Sequence, residues 1–429
     1  MKIIHYDELS EDFFEYKELE EIGAVQEIIS EVRRNGDQAI KKYTFKFDGV
    51  ELEEFKISTS EITQAYDQLD NDMKAALQLA ASNIEELAEK QKEQLTDFDY
   101  EILPGVMTGQ RVIPIERIGV YTPGGSYPLP STVLMCCIPA RVAGVEQIVV
   151  YSPPTCNGKI HPAIVAAADI CQVEEIYAIG GVQAIAAMTY GTETIKKVDK
   201  IVGPGNKYVA AAKKLVYGAV GIDFIAGPTE LMIIADEYAN PAFIAADLLA
   251  QAEHDVNAIP ILITYSSELA DQVNQQIEQQ LQNLPTADIA RQSLKDNGKI
   301  ILVDMIDDAF DIANKKAPEH LELQLEYAKE FAHQLKNYGT LFIGSFSAEA
   351  LGDYSSGLNH TLPTNGCARY TGGLSVKDFL KFQSTLEVTK EGLSDIDQIA
   401  IDLGRMEGLE GHARSVEIRM SKSNGKRET

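Results

Sequence analysis

The sequence predicts an α/β protein: two α/β domains built on parallel sheets, with helical extensions at both chain ends. From about residue 117, short apolar runs alternate with helical segments, as parallel strands joined by crossover helices require. Three of the junctions where a run gives way to a helix hold glycine clusters. At 429 residues the chain also exceeds one compact core and calls for two or three domains.

Residues 1 to about 100 are acidic and helical in period. Ile22, Val25, Ile28, Ile29 and Val32 make one amphipathic stripe, and Leu69 to Leu87 make another. Arg117–Tyr121, Gln147–Tyr151, Glu175–Ile179 and Lys200–Val202 then read as strands. The intervening segments Ser131–Val142, Pro162–Ile170 and Val182–Met188 read as helices, as does Asn206–Tyr217. A second set of strands follows at Leu231–Ala235, Pro260–Thr264, Lys299–Val303 and Thr340–Ile343. The last stretch, about 55 residues, is polar and ends in Ser421-Lys422-Ser423-Asn424-Gly425-Lys426.

Composition excludes several partners. With 45% hydrophobic and 24% charged residues, the chain falls in the ordinary globular class. A net charge of -27 repels phosphates, so neither nucleic acid nor an anionic membrane is expected. Neither a signal-type apolar run near Met1 nor a stretch approaching ~20 apolar residues is present. The five cysteines (136, 137, 156, 171 and 367) show neither zinc-ribbon spacing nor disulfide density, which fits a reducing cytoplasm.

The glycine junctions are Pro123-Gly124-Gly125, Gly180-Gly181 and Gly203-Pro204-Gly205-Asn206. Glycine there lets backbone N–H groups approach a ligand, and a helix N-terminus favours anions. None matches G-x-G-x-x-G, and each alone is equally a tight turn. Three at one end of one sheet point to a nucleotide or phosphate crevice.

Gln251 and His254 lie three residues apart near the end of a helix capped by Asn240-Pro241 and striped by Phe243, Ile244, Leu248 and Leu249. That spacing directs two ligands to one side, toward a divalent metal that Asp353 and His412 could also bind. Pro318-Glu319-His320 puts a carboxylate beside an imidazole, which serve one site only in a turn or at a helix start. From spacing alone a surface loop is the stronger reading. Asp353-Tyr354 and Asn359-His360 occupy a glycine- and serine-rich stretch suited to an active-site loop. These ligands alone would also suit a zinc hydrolase, and two lobes a small-molecule clamp. The hydrolase leaves the three glycine junctions unused, and the lack of an export signal speaks against the usual secreted clamp.

Taken together the segments resemble histidinol dehydrogenase, a family of NAD-dependent enzymes that complete histidine biosynthesis. The most specific is Ile222-Asp223-Phe224-Ile225-Ala226-Gly227-Pro228-Thr229-Glu230, followed by Gln251-Ala252-Glu253-His254-Asp255. Ala317-Pro318-Glu319-His320-Leu321, Gly352-Asp353-Tyr354, Asn359-His360, Leu362-Pro363-Thr364, Glu407-Gly408-Leu409 and His412 follow in the family's order, so the likeness spans about residues 20–420.

The resemblance implies two Rossmann-like domains with an incomplete dinucleotide fold. Residues 1–20 are an arm, 21–120 with 228–373 a larger discontinuous domain, 121–227 an inserted NAD-binding domain and 374–429 a helical, dimer-swapped tail. It implies one zinc ion per subunit, held by Gln251, His254, Asp353 and, from the other subunit of a homodimer, His412. It implies oxidation of L-histidinol through the aldehyde to L-histidine with two NAD⁺, His320 being the base and Glu319 the water activator. Thr229, His320, Asp353 and Glu407, with the zinc ligands Gln251, His254 and His412, match substrate contacts. Tyr121, Gln183 and Asn206 match NAD contacts. Thr229 stands where serine is common, and Gly411 where alanine often precedes the C-terminal histidine.

Overall fold

The apolar runs between Arg117 and Ile222 assemble into a five-stranded sheet. Its spatial order is Glu175–Ala178, Gln147–Ser152, Arg117–Tyr121, Lys200–Val202, Gly221–Ile222, all neighbours parallel. Counted along the chain this is 3-2-1-4-5, the doubly wound order short of its sixth strand. The computed structural model describes residues 1–18, 23–124 and 128–421. Ile22 of the first stripe, Gly125 of the first glycine cluster and the tail beyond Ser421 lie outside them.

A six-stranded parallel sheet repeats that order in its last five strands and adds the N-terminal strand at one edge. From one edge it runs Lys2–His5, Lys299–Leu302, Ile259–Thr264, Glu230–Ala235, His320–Gln324, Thr340–Ile343. Strands Glu230–Ala235 and His320–Gln324 are buried along their whole length, because helices cover both faces. Alternate residues feed separate cores. Leu231 and Ile233 pack with Leu248 and Leu262 on one side, and Met232 and Ile234 with Leu321 and Leu323 on the other. Each such side chain contributes about 1.5–3 kcal/mol on burial.

Helix Gly23–Asp48, kinked at Gly36 (φ 51°), buries Val25, Ile28, Ile29 and Val32 beside Ala184, Ile185 and Met188 of helix Gly181–Tyr190. The apolar stripe predicted near the N-terminus therefore packs on the five-stranded layer.

Several expectations need correction. Residues 2–5 form an edge strand on Lys299–Leu302, because four main-chain partners lie nearly 300 positions away. Lys92–Pro114 and Leu380–Thr429 form a second compact unit. In it Leu380–Val388, Val106–Pro114 and Phe98–Leu103 make an antiparallel sheet, joined by helices Lys390–Met406 and Glu410–Ser421. The C-terminal segment thus contains a nine-residue strand as well as helices. Segment 318–320 opens a central strand. The polar Glu322 and Gln324 disguise that strand in the sequence, yet both side chains are buried and bonded to each other. Among the described residues no helix is long and apolar enough to cross a membrane.

Candidate active site

Two neighbouring strands of the six-stranded sheet, Glu230–Ala235 and His320–Gln324, bring their amino ends together, with His320 in register with Leu231. Doubly wound sheets usually bind ligands at the carboxyl ends; this cluster sits at the other end. Glu319, just before its strand, accepts from the Glu230 N–H at 2.9 Å, and its Oε2 lies 2.6 Å from the Thr229 hydroxyl. His320 Nδ1 lies 3.2 Å from the Glu230 carbonyl and 3.3 Å from Glu349 Oε1. A carbonyl can only accept, so in the neutral ring Nδ1 carries the proton and Nε2 the lone pair. That Nε2 is buried, has no hydrogen-bond partner among the described residues, and stands 3.7 Å from Asp353 Oδ1. Strand residues alternate sides, but Glu319 precedes the ladder, and this is how adjacent side chains serve one pocket.

Helix Pro241–Ala252 supplies Gln251, fully buried in its last turn. With its amide nitrogen toward Glu349 (2.5 and 3.1 Å), its oxygen faces the Thr229 hydroxyl at 2.7 Å, whose one proton is shared between Gln251 and Glu319. The helix stops at Ala252, so His254 lies in the following turn, where its side chain is exposed and its N–H donates to the Gln251 carbonyl at 3.4 Å. Helix Glu349–Tyr354 supplies Glu349 and Asp353. Donor atoms of His320, Glu349 and Asp353 all lie within 4.8 Å of one another. His254 is outside that triad, although its charge is felt at Asp353. Glu349 was not singled out in the sequence; its only signal there is its place four residues before Asp353, one helical turn away.

Carboxylates dominate the electrostatics. Burial pushes the Glu319 carboxyl up to about 7, against the opposing pull of His320 and the bonds from Thr229 and Glu230. Burial likewise holds Glu349 well above the usual carboxylate range. For His320, burial disfavours the charged ring, but Glu349, Glu319 and Asp353 outweigh it and raise the ring well above the ordinary histidine value. Burial would raise Asp353 too, yet the neighbouring His320, 3.7 Å away, wins and its carboxyl is lowered. The field in this pocket favours a cation, and the mixed oxygen and nitrogen donors of Gln251, Glu349, Asp353 and the nearby imidazoles suit a borderline divalent ion.

The glycine junctions lie at the carboxyl ends of the five-stranded sheet, where the strand order reverses between Arg117–Tyr121 and Lys200–Val202. Gly203 has φ 108°, and a Cβ there would meet the Tyr121 carbonyl at 2.1 Å, so only glycine fits. The buried Lys213–Asp223 ion pair fastens this turn: Lys213 donates to the Gly203 carbonyl (3.0 Å) and Asp223 accepts from its N–H (2.8 Å). Asn206 caps helix Lys207–Val216, accepting from the N–H groups of Tyr208 and Val209. The Tyr121 hydroxyl accepts from Gly181 N–H at 3.1 Å, and Gln183 Oε1 is buried without a partner among the described residues. Tyr121, Gln183 and Asn206 thus border one crevice-forming edge. Glu407 and His412 belong to the second unit, where both side chains are exposed.

Two doubly wound layers of the same strand order, one with a glycine-turned edge and one with a buried imidazole–carboxylate pocket, define a two-domain α/β protein with Rossmann-like sheets. The family model for histidinol dehydrogenase matches residues 14–420. A histidinol dehydrogenase of Bacillus cereus (strain ATCC 10987) is 50% identical over 92% of this chain and 91% of its own. That of Listeria monocytogenes serovar 1/2a is 47% identical over 93% of each. The crystal structure of histidinol dehydrogenase from Elizabethkingia anophelis superposes with a TM-score of 0.94, at 40% identity and 99% coverage of both chains. The chain belongs to the histidinol dehydrogenase family, a family of oxidoreductases.

Proposed function

We propose that this protein oxidises L-histidinol through the aldehyde to L-histidine, with zinc bound and two NAD⁺ consumed, as the last step of histidine biosynthesis in the cytoplasm. The observation that carries the reading is the buried Glu319–His320 pair, with the His320 proton fixed on Nδ1 and Nε2 left free. Gln251, Asp353 and His254 would hold the metal, with Glu349 beside them and His412 of a second subunit completing the set. Zinc supplies charge that orients the substrate's amine and imidazole, and NAD⁺ supplies the hydride acceptor for each oxidation.

His320 takes the alcohol proton at Nε2 while hydride leaves the carbinol carbon. Glu349 and the Glu230 carbonyl hold the ring from Nδ1. With a metal held by Gln251, Asp353 and His254, the field of these carboxylates would be offset, and His320 would be fit to act as a base near neutrality. Glu319, its ionisation centred at about 7, then takes a proton from water as that water adds to the aldehyde. The hydrate loses the second hydride, leaving the carboxylate. Thr229, beside Glu319, together with Asp353 and Glu407, would contact substrate. Tyr121, Gln183 and Asn206 would contact NAD at the Gly203 edge, where the Gln183 oxygen without a partner awaits a donor.

The division into a larger domain (21–120 with 228–373) and an inserted domain (121–227) is supported by a separate parallel sheet in 228–373 and in 117–222, while Val25 to Phe55 share the core of the 117–222 sheet. A homodimer is supported by the apolar surface of the second unit, where Tyr100 (64% exposed), Leu386 (68%) and Met406 (81%) face outward without cover. Nucleic acid and membrane partners are set aside on the charge of -27, and the five free cysteines agree with a reducing compartment. The deciding assay is NADH absorbance with L-histidinol before and after chelation. NADH formation that stops on chelation and returns with zinc is expected; no NADH from histidinol in metal-replete protein rejects the reading.

A further inference from the structure

Glu230 closes the Gly227-Pro228-Thr229-Glu230 motif, and the reaction as proposed uses only its main chain. Its N–H donates to Glu319 at 2.9 Å, and its carbonyl lies 3.2 Å from His320 Nδ1. The side chain is 2% exposed, a place a carboxylate takes only when something pairs it. Oε1 accepts from Lys316 Nζ at 3.4 Å and from the Asn365 N–H at 3.0 Å. Oε2 is buried without a partner among the described residues, so one oxygen carries the whole attachment.

Both anchors adjoin the site. Lys316, itself buried, is the last residue of helix Ile306–Lys316 and leads through Ala317 and Pro318 to Glu319. Glu230 therefore grips one short segment three ways: its side chain holds Lys316, its N–H holds Glu319 and its carbonyl faces His320. Asn365, left-handed at φ 56°, is fastened in turn: its side chain accepts from the Lys17 N–H (3.0 Å) and donates to the Lys17 carbonyl (2.8 Å). A buried ion pair adds little net stability over an apolar pair of the same size. What this pair does is hold a peptide in place.

We propose that Glu230 is a positioning residue: its carboxylate, held by Lys316 and Asn365, sets the main-chain groups that aim Glu319 and His320. The inference rests on the proposed function, in which those two side chains are the bases. Displacements of about 1 Å at a reacting pair cost on the order of 100-fold in rate. The reach of the side chain, rather than its charge, is then what turnover depends on.

The test separates reach from charge in the purified, zinc-loaded protein. Glu230→Gln keeps the bonded oxygen at full reach and loses the charge, whereas Glu230→Asp keeps the charge on a chain one methylene shorter. Measured are kcat and KM for histidinol, the isotope effect with histidinol deuterated at the carbinol carbon, zinc content and melting temperature. In Glu230→Asp a kcat loss of about tenfold or more is expected, with zinc content and KM within about twofold of the parent. Its isotope effect should be at or above the parental one, since the chemical step is what slows. Glu230→Gln should keep kcat within about threefold despite a lower melting temperature, because Lys316 loses its counter-charge. Parental kcat in Glu230→Asp, an equal loss in Glu230→Gln, a reduced isotope effect, or activity that merely follows zinc content overturns the inference. Should Glu230→Asp fail to fold, the paired replacement Glu230→Met with Lys316→Met decides, since an apolar pair of like size keeps the fold. A lowered kcat there supports the inference, and a parental one overturns it. A parent protein that forms no NADH from histidinol removes the proposed function and this inference together; an active parent with an indifferent Glu230→Asp removes the inference alone.

Discussion

Glu319 and His320 are adjacent in sequence but differ in what the fold asks of them. His320 has its tautomer set by a backbone carbonyl, whereas Glu319 has its ionisation set by burial. Water activation requires the ionised carboxylate, and the raised value of about 7 means that form is lost as pH falls through neutrality. The aldehyde half-reaction should therefore speed up as pH rises through about 7, measured with histidinaldehyde as substrate. In Glu319→Gln this half-reaction should fall by about 10²–10⁴-fold and lose that limb, while the alcohol step keeps more of its rate. Equal loss in both steps would deny Glu319 a role specific to water. Lys213 poses a stability question. It is buried against Asp223, so Lys213→Met strands a buried carboxylate and should cost about 3–5 kcal/mol in denaturant unfolding. A cost near zero would mean that the Gly203 and Phe224 N–H groups alone satisfy Asp223.

Among the elements, the turn after Lys200–Val202 depends most on one residue. Gly203 combines φ 108° with a main-chain oxygen where its Cβ would stand. Gly203→Ala must shift the turn or strand Arg117–Tyr121, at a backbone strain of about 1–3 kcal/mol. The expected result is a raised KM for NAD⁺ with KM for histidinol little changed, in steady-state assays varying each substrate. A change confined to histidinol would place the dinucleotide elsewhere. The helix Glu349–Tyr354 is the matching element in the other layer. It has barely more than one turn, and its first N–H is held by Glu322 Oε1 at 2.9 Å. Asp353 is thereby positioned by a residue of the same strand that begins with His320.

For the whole molecule, the two compact units divide the predicted site residues between them, with Glu407 and His412 in the second. If sites are shared across a dimer, a mixed dimer with His412→Asn on one chain and Glu319→Gln on the other should keep about half the parental activity. One pocket then collects both lesions and the other stays intact. Near-complete loss, measured on tandem-tagged mixed dimers, would mean that each chain completes its own pocket.

The sequence by itself determined much of the secondary structure of the two parallel layers. Strands Arg117–Tyr121 and Glu230–Ala235 were legible because a strand buried on both faces must be a continuous apolar run between turn signals. Motifs such as Gln251-Ala252-Glu253-His254 and Pro318-Glu319-His320 were legible because few spacings suit a metal or a proton transfer. Strand His320–Gln324 was not, since its buried Glu322 and Gln324 find their partners only in three dimensions. Strands Lys2–His5 and Leu380–Val388 depend on main-chain pairing with segments some 270 or more residues away, which no local pattern encodes. Glu349 entered the site only when helix Glu349–Tyr354 folded against His320. The tautomer of His320 and the upward shift of Glu319 follow from burial and from the direction of single bonds. Those are set by the tertiary structure, because the free energy of a proton depends on which atoms surround it and not on the order of the residues that carry them.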